Sequence, residues 1–233
     1  MSGEVNLSLP NGFDNTVRLF PLPNLVLFPG VVQALHLFEP RYREMMEDAI
    51  ATDELITMAY VQPDAISSPH PDIAKTVCVG KILSHTRLDD GRFNLFLVGV
   101  KRATIVREFT TDLLFRTAEV EIHHEQDGSD IHYLRDEIVT TFRNLAGQKT
   151  GWNHESLDQF LDKDLPFGQM VDMISYSCGA SPEDQLRVLE TFDLRSRGEI
   201  VLEILQTQVE ASRKYGQDVS DSGQSFPPGF SVN

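Results

Sequence analysis

Residues 19–30 read LFPLPNLVLFPG, an apolar stretch interrupted by prolines that indicates short strands joined by tight turns. Residues 16–20 predict the first strand, and Pro21-Leu22-Pro23-Asn24 predicts a turn after it. The apolar run that follows ends at Pro29-Gly30. We expect its side chains in the protein core or, if they are exposed, in a peptide-binding patch. The side chains in question are Leu22, Leu25, Leu27 and Phe28.

The next segment predicts a helix with a charged and aromatic amino end. Residues 38–43 read FEPRYR, and Pro40 suits the first turn of a helix, where its missing N–H costs nothing. Apolar residues then recur at helical spacing and predict one buried stripe. The stripe consists of Tyr42, Met45, Met46, Ala49 and Ile50.

This helix start carries the main binding hypothesis, because arginine and tyrosine are residue types that interfaces favour. The candidate polypeptide-binding residues are Phe28, Phe38, Glu39, Arg41, Tyr42 and Arg43. The alternative is structural: Phe38 and Tyr42 pack the helix against a sheet, while the three charged side chains are solvated or paired.

The sequence changes character near residue 126, since most segments before it read as strands and most after it as helices. This order predicts an α+β protein. Short strands with tight turns, such as the Asp90-Gly91 hairpin, favour a small barrel or sandwich. Gly99 predicts a bend or bulge, and residues 113–124 predict the last strand. The expected organisation is a flexible amino terminus (1–12), a β-subdomain (13–125), a helical subdomain (126–212) and a disordered tail (213–233).

Composition limits the classes of partner. The chain has 233 residues with 35 acidic and 20 basic side chains, a formal net charge of -15. Nucleic-acid affinity depends largely on Lys and Arg, so this balance argues against such a partner. The sequence has no apolar run of about 18 residues and no signal-peptide pattern, which predicts a cytoplasmic protein without a membrane partner. Cys78 and Cys178 are too isolated for a disulfide framework and are expected to be buried.

Two blocks of sequence resemble the amino-terminal substrate-binding domain of the Lon protease. The first comprises residues 19–30 and LHLFEPRYR at 35–43; the second runs from VGKI at 79–82 through DGRFNL at 90–95 to VGVKR at 98–102. The resemblance covers roughly residues 13–212. It implies a PUA-like β-barrel followed by a C-terminal α-helical bundle. It also implies a module that captures unfolded or client polypeptides, with a protease or another protein as a further possible partner.

Catalytic signatures are absent from the sequence. No GxxxxGK[ST] loop, Gly-x-Ser-x-Gly or His-Glu-x-x-His motif occurs. The Lon protease keeps its ATPase and its Ser–Lys dyad in other domains, so the resemblance implies a protein that is not an enzyme. His123 and His124 are adjacent on an expected strand and face opposite sides, so no metal or cofactor is predicted. The alternatives are a PUA-like RNA-binding protein, disfavoured by charge, and a small hydrolase.

The joint between the two halves suggests a second binding place. Residues 126–130 are polar, whereas Val120 and Ile122 before them and Ile131 and Leu134 after them are apolar. We expect these faces to dock the helices on the barrel and leave a groove between the halves, a common location for binding sites.

Overall fold

The computed structural model describes residues 8–62, 70–125, 131–146, 161 and 165–221, with side chains described as far as residue 212. The first half of the chain forms six strands. They are β1 (Thr16–Leu22), β2 (Val32–Leu37), β3 (Leu55–Tyr60), β4 (Thr76–Arg87), β5 (Phe93–Glu108) and β6 (Arg116–Ile122). β6 is shorter than the strand expected at 113–124. It begins only at Arg116, and Leu113 and Leu114 before it have exposed side chains.

The strands close into a barrel. The order across the sheet is β2-β5-β4-β3-β1-β6, and β6 pairs again with β5, so five strands form a ring. β1 and β3 run parallel, and the other pairs run antiparallel. β2 lies outside the ring and pairs only with the first half of β5 among the described strands. The expected barrel is therefore confirmed.

β5 belongs to both the ring and its outer extension because it bends. Its register against β4 shifts between Val79 and Gly80, opposite Gly99 and Lys101, which confirms the predicted irregularity at Gly99. A bulge of this kind increases the local twist and helps a sheet to close. The carbonyl of Phe28 passes directly over Gly99, and a side chain at this position would collide with it.

Replacing Gly99 with alanine is expected to destabilise the protein by about 3 kcal/mol, the upper end of the range for overpacking, because the obstacle is backbone that cannot rotate away. Urea denaturation of the two proteins measures the difference. Gly12→Ala is the control: Gly12 has a positive φ but open space around it, and the expected cost is about 1 kcal/mol. A Gly99→Ala protein as stable as the wild type would contradict the close approach.

Five described helices complete the fold. They are α1 (Pro40–Ala51), α2 (His132–Ala146), α3 (Phe167–Ser177), α4 (Pro182–Glu190) and α5 (Leu194–Asp221). α1 begins with Pro40 at its first position, as predicted. Ser181 caps α4 by accepting a hydrogen bond from the Asp184 N–H.

Two apolar clusters show how the halves are joined. The smaller cluster fills the ring and comes from its five strands: Val17, Leu19, Leu55, Ala59, Val77, Val79, Ala103, Ala118 and Val120. The larger cluster is continuous from Phe20 and Met58 of the barrel through Met45 of α1 to Ile138 of α2 and Leu205 of α5. The helices are thus docked on the barrel by one shared core, and the α+β architecture is confirmed.

Three smaller expectations concern the cysteines, the joint between the halves and the carboxyl tail. Cys78 and Cys178 are both buried, as predicted, and burial raises the pKa of the Cys78 thiol to about 12. The joint at 126–130 lies outside the described residues. The backbone of α5 continues to Asp221, past the boundary at 213 that the sequence suggested for a disordered tail.

Candidate functional site

A depression lies at the amino end of α1, beside the turn that follows β1. It has a volume of about 230 Å³, and its walls include Pro21, Leu22 and Pro23 on one side and Leu114 and Phe115 on the other. Leu114 is 61% exposed, although its backbone N–H is held by the Glu44 carboxylate at 3.2 Å. The depression therefore combines an apolar lining with an ordered wall.

Three of the expected binding residues line this depression together. Tyr42 packs edge-on against Phe20 with ring centroids 4.5 Å apart, and its hydroxyl donates to the Pro21 carbonyl at 3.4 Å. Arg41 pairs with Glu39 at 2.7 Å, and its guanidinium lies 4.7 Å from the centre of the Tyr42 ring. Burial raises the pKa of Tyr42, so the phenol stays neutral. Tyr42 thus forms the floor, and Glu39 and Arg41 form a charged rim.

Two further candidates point elsewhere. Phe38 is 61% exposed and lies 6.1 Å from the His36 ring, on the outer face of β2. Arg43 places its guanidinium against Gly91, where a side chain would collide with it. The structural alternative thus fits Tyr42 and the Glu39–Arg41 pair, but not Phe38, which is exposed.

Phe28 does not belong to any exposed surface. Its ring is completely buried, and the Arg102 guanidinium lies 6.0 Å from its centre. Leu27 is also buried, and Leu22 and Leu25 are half-buried against the same core. This run therefore packs in the core and does not form an exposed peptide-binding patch. A client polypeptide could reach Phe28 only if the core opened.

A groove between the barrel and the helices contains a cluster of buried charges. Arg102 of β5 forms a bidentate salt bridge with Asp172 of α3. Its Nη1 donates to Asp172 Oδ2 at 2.7 Å, and its Nη2 donates to Oδ1. Arg197 of α5 bonds Glu125 and lies 3.6 Å from Asp172. Burial raises the pKa of the Asp172 carboxyl, and the positive charge of Arg102 partly offsets this rise. Because both carboxylate oxygens accept from guanidinium N–H groups, the geometry is that of an ionised acid.

The arginines of this cluster also bond to backbone carbonyls at the carboxyl end of α4. Arg102 Nε donates to the Leu189 carbonyl at 3.1 Å, and Arg197 Nε donates to the Thr191 carbonyl at 2.8 Å. At the mouth of the groove, the rings of His123 and Phe192 stack with centroids 3.9 Å apart. A groove between the barrel and the helices is therefore present, with a volume of about 200 Å³. The faces expected to form it are only half right: Ile131 and Leu134 pack in the shared core, but Val120 and Ile122 belong to the cluster inside the ring and do not dock the helices.

Sequence reasoning missed this charge cluster. The signal available was a single charge within an apolar run, as for Asp172 between Val171 and Met173. Among the described residues, no group of three or more His, Cys, Asp and Glu side chains could hold a metal ion. Within the same part of the chain, no helix has the length and apolar character needed to cross a membrane.

The structure thus combines a barrel with helices docked on it, an apolar depression, and a groove between the barrel and the helices. The family model described as ATP-dependent protease La (LON) substrate-binding domain matches residues 16–207. The chain therefore belongs to the Lon substrate-binding domain family. The match confirms the resemblance seen in the sequence.

Individual relatives agree with this assignment. The chain is 24% identical to the Lon protease of Dictyoglomus thermophilum over 210 residues and 25% identical to Lon protease 1 of Bacillus subtilis over 213 residues. Each alignment covers 89% of this chain but only 26% and 27%, respectively, of those relatives.

Solved structures show the same fold. A Lon N-terminal domain protein from Xanthomonas campestris has a TM-score of 0.61 at 21% identity, covering 81% of this chain and 97% of that one. The N-terminal domain of the Lon protease of the Mycobacterium avium complex has a TM-score of 0.66 at 17% identity, covering 82% and 98%.

Proposed function

We propose that this protein is a non-catalytic module that captures unfolded or client polypeptides in the cytoplasm, without the use of nucleotide. The observation that carries the proposal is the apolar depression at Tyr42, rimmed by Glu39 and Arg41, in a chain of the Lon substrate-binding family. Apolar surface takes up side chains that an unfolded client exposes, and the charged rim orients the backbone and polar groups around them.

The two surfaces described above have different parts in this proposal. The depression offers apolar contact, since the exposed Leu114 and the partly exposed Pro23 are available to a client. The groove between the barrel and the helices offers the positive charge of Lys101, because the charges of Arg102 and Arg197 are balanced by Asp172 and Glu125. A client that carries both apolar and acidic residues is therefore the preferred class.

Charge reversal at the start of α1 tests the proposal. The double variant Arg41→Glu, Arg43→Glu is expected to weaken binding of a permanently unfolded, reduced and carboxymethylated protein by about tenfold, close to 1.4 kcal/mol. The reason is that the variant places a carboxylate at position 41 on the rim, beside Glu39, and a second one nearby at position 43, and both repel an acidic client. Fluorescence anisotropy with the labelled client measures the change, and the circular dichroism melt shows whether the chain remains folded.

Two controls accompany this test. Arg107→Glu reverses an exposed charge at the far end of β5 and is expected to leave binding unchanged. Removal of residues 216–233 is also expected to leave it unchanged, because the described lining of both surfaces comes from residues between 21 and 197. If the truncation abolishes binding and the double reversal has no effect, clients bind elsewhere and the proposed site is wrong.

A further inference from the structure

Within the part of the chain that the structure describes, the outer edge of β2 has no strand beside it. β2 pairs with β5 on one side, and no other described strand pairs with it on the other. An unpaired edge presents a row of backbone N–H and C=O groups that can template another strand. Proteins usually blunt such an edge with charged side chains or proline, but β2 reads VQALHL and carries neither aspartate, glutamate, lysine, arginine nor proline.

The register identifies the backbone groups that face outward. The Gly99 N–H donates to the Val31 carbonyl at 2.9 Å, so residues 31 and 99 form a hydrogen-bonded pair. Because such pairs alternate along antiparallel strands, Gln33 and Leu35 also turn their N–H and C=O groups toward β5. The groups of Ala34 and His36 therefore point away from the sheet. The Ala34 carbonyl indeed accepts a hydrogen bond from the Gln33 side chain rather than from β5.

Exposed apolar side chains accompany this edge. Val32 is 48% exposed, and Phe96 of β5, which is paired with Ala34, is 52% exposed. Phe38 extends the same face beyond the end of β2. A shallow depression of about 330 Å³ adjoins them, lined by β2, β4 and β5.

The chemistry of the lining limits what can occupy this edge. The polar side chains in the depression include His36, His85 and Asn94 but no carboxylate, although the chain carries 35 acidic residues. An apolar or acidic segment can therefore approach without local repulsion. A second copy of this chain fits less well, because two molecules of net charge -15 repel each other. A helix does not fit either, since its backbone groups are already bonded internally.

We propose that β2 binds client polypeptide by strand addition, taking up an extended segment with apolar residues at alternate positions. The segment would bond to the outward groups of Ala34 and His36 and place its apolar side chains against Val32 and Phe96. This inference rests on the proposed function and specifies the conformation and side-chain pattern of the client.

Proline at position 34 tests the backbone contact. Ala34→Pro removes an N–H that the β5 ladder does not use, so the edge loses a donor while the fold is kept. We expect affinity for a fluorescein-labelled peptide of alternating valine and serine to fall by about tenfold, the order expected for loss of one hydrogen bond and its neighbours.

Phe96→Glu is expected to lower the affinity by a similar factor, because it places a charge on the exposed apolar face beside β2. Val106→Glu, an equally exposed residue of β5 remote from the edge, is the matched control and leaves the affinity unchanged.

Amide hydrogen exchange distinguishes strand addition from simple apolar contact, because only strand addition protects the outward N–H groups of β2. With peptide bound, the amides of Ala34 and His36 should become protected, while exposed amides at the far end of β5 stay as they were.

If the folded Ala34→Pro and Phe96→Glu proteins bind the peptide as well as the wild type, the inference is wrong. It is also wrong if sedimentation shows a dimer that Ala34→Pro dissociates, since the edge then pairs with a second copy. Client binding that remains sensitive to reversal at Arg41 and Arg43 but not to Ala34→Pro would leave the proposed function standing and overturn strand addition alone.

Discussion

Replacing Asp172 with alanine is expected to destabilise the protein by about 3–5 kcal/mol, because the change leaves buried arginines without their buried counter-ion. Arg102 and Arg197 are almost completely inaccessible, and the carboxylate that remains beside them, Glu125, is partly exposed. Since these side chains also hold carbonyls at Leu189 and Thr191, the loss should loosen α4 and α5 from the barrel. Urea denaturation measures the free energy of unfolding.

Two comparison variants separate charge from position. Glu47→Ala breaks the ion pair between Glu47 and Arg87, which is exposed on both sides, and should change stability by less than about 1 kcal/mol. Asp172→Asn keeps the shape but removes the charge and turns one acceptor oxygen into an NH2 donor facing a guanidinium, so its cost combines the lost charge with one lost hydrogen bond. If Asp172→Ala is as mild as Glu47→Ala, the cluster does not hold the two halves together.

Replacing Phe28 with alanine is expected to cost about 3–5 kcal/mol, because the ring is fully buried and its removal leaves a cavity. The backbone on either side is fixed: the Phe28 carbonyl accepts from the Val31 N–H at 3.1 Å and lies over Gly99. The surrounding structure therefore has little freedom to collapse into the space. Thermal and urea denaturation measure the loss.

Phe38→Ala is the matched control, since it makes the same chemical change at an exposed position. Its expected effect on stability is within about 0.5 kcal/mol. If Phe28→Ala also leaves stability unchanged and instead reduces client binding, Phe28 acts in binding and the core interpretation is wrong.

The two phenylalanines show where reasoning from the sequence reached its limit. Both were candidates for polypeptide contact, and both occur in the same Lon-like block of sequence. Position along the chain could not separate them, because burial depends on what packs from elsewhere. Arg102, 74 positions after Phe28 in the chain, lies over its ring, whereas Phe38 stacks on its neighbour His36 and stays 61% exposed.

Local signals were sufficient for much of the fold. The Asp90-Gly91 turn, the irregularity at Gly99 and the start of α1 at Pro40 all follow from backbone preferences of single residues or short motifs. The segregation of strands and helices near residue 126 was also visible, because periodicity is a property of each segment. These features together with the two Lon-like blocks determined the class of fold and the family.

Long-range contacts decided the rest. The pairing of β6 with β5 closes the barrel and leaves β2 at an edge, and no local pattern in β2 predicts that exposure. Asp172, Arg102, Arg197 and Glu125 come from four separate segments, so their charges cancel only once the helices dock on the barrel. By itself, the sequence determined the elements, the fold class and the family. Only the tertiary structure decided which apolar and charged side chains are buried, because burial is set by contacts between segments that are distant along the chain.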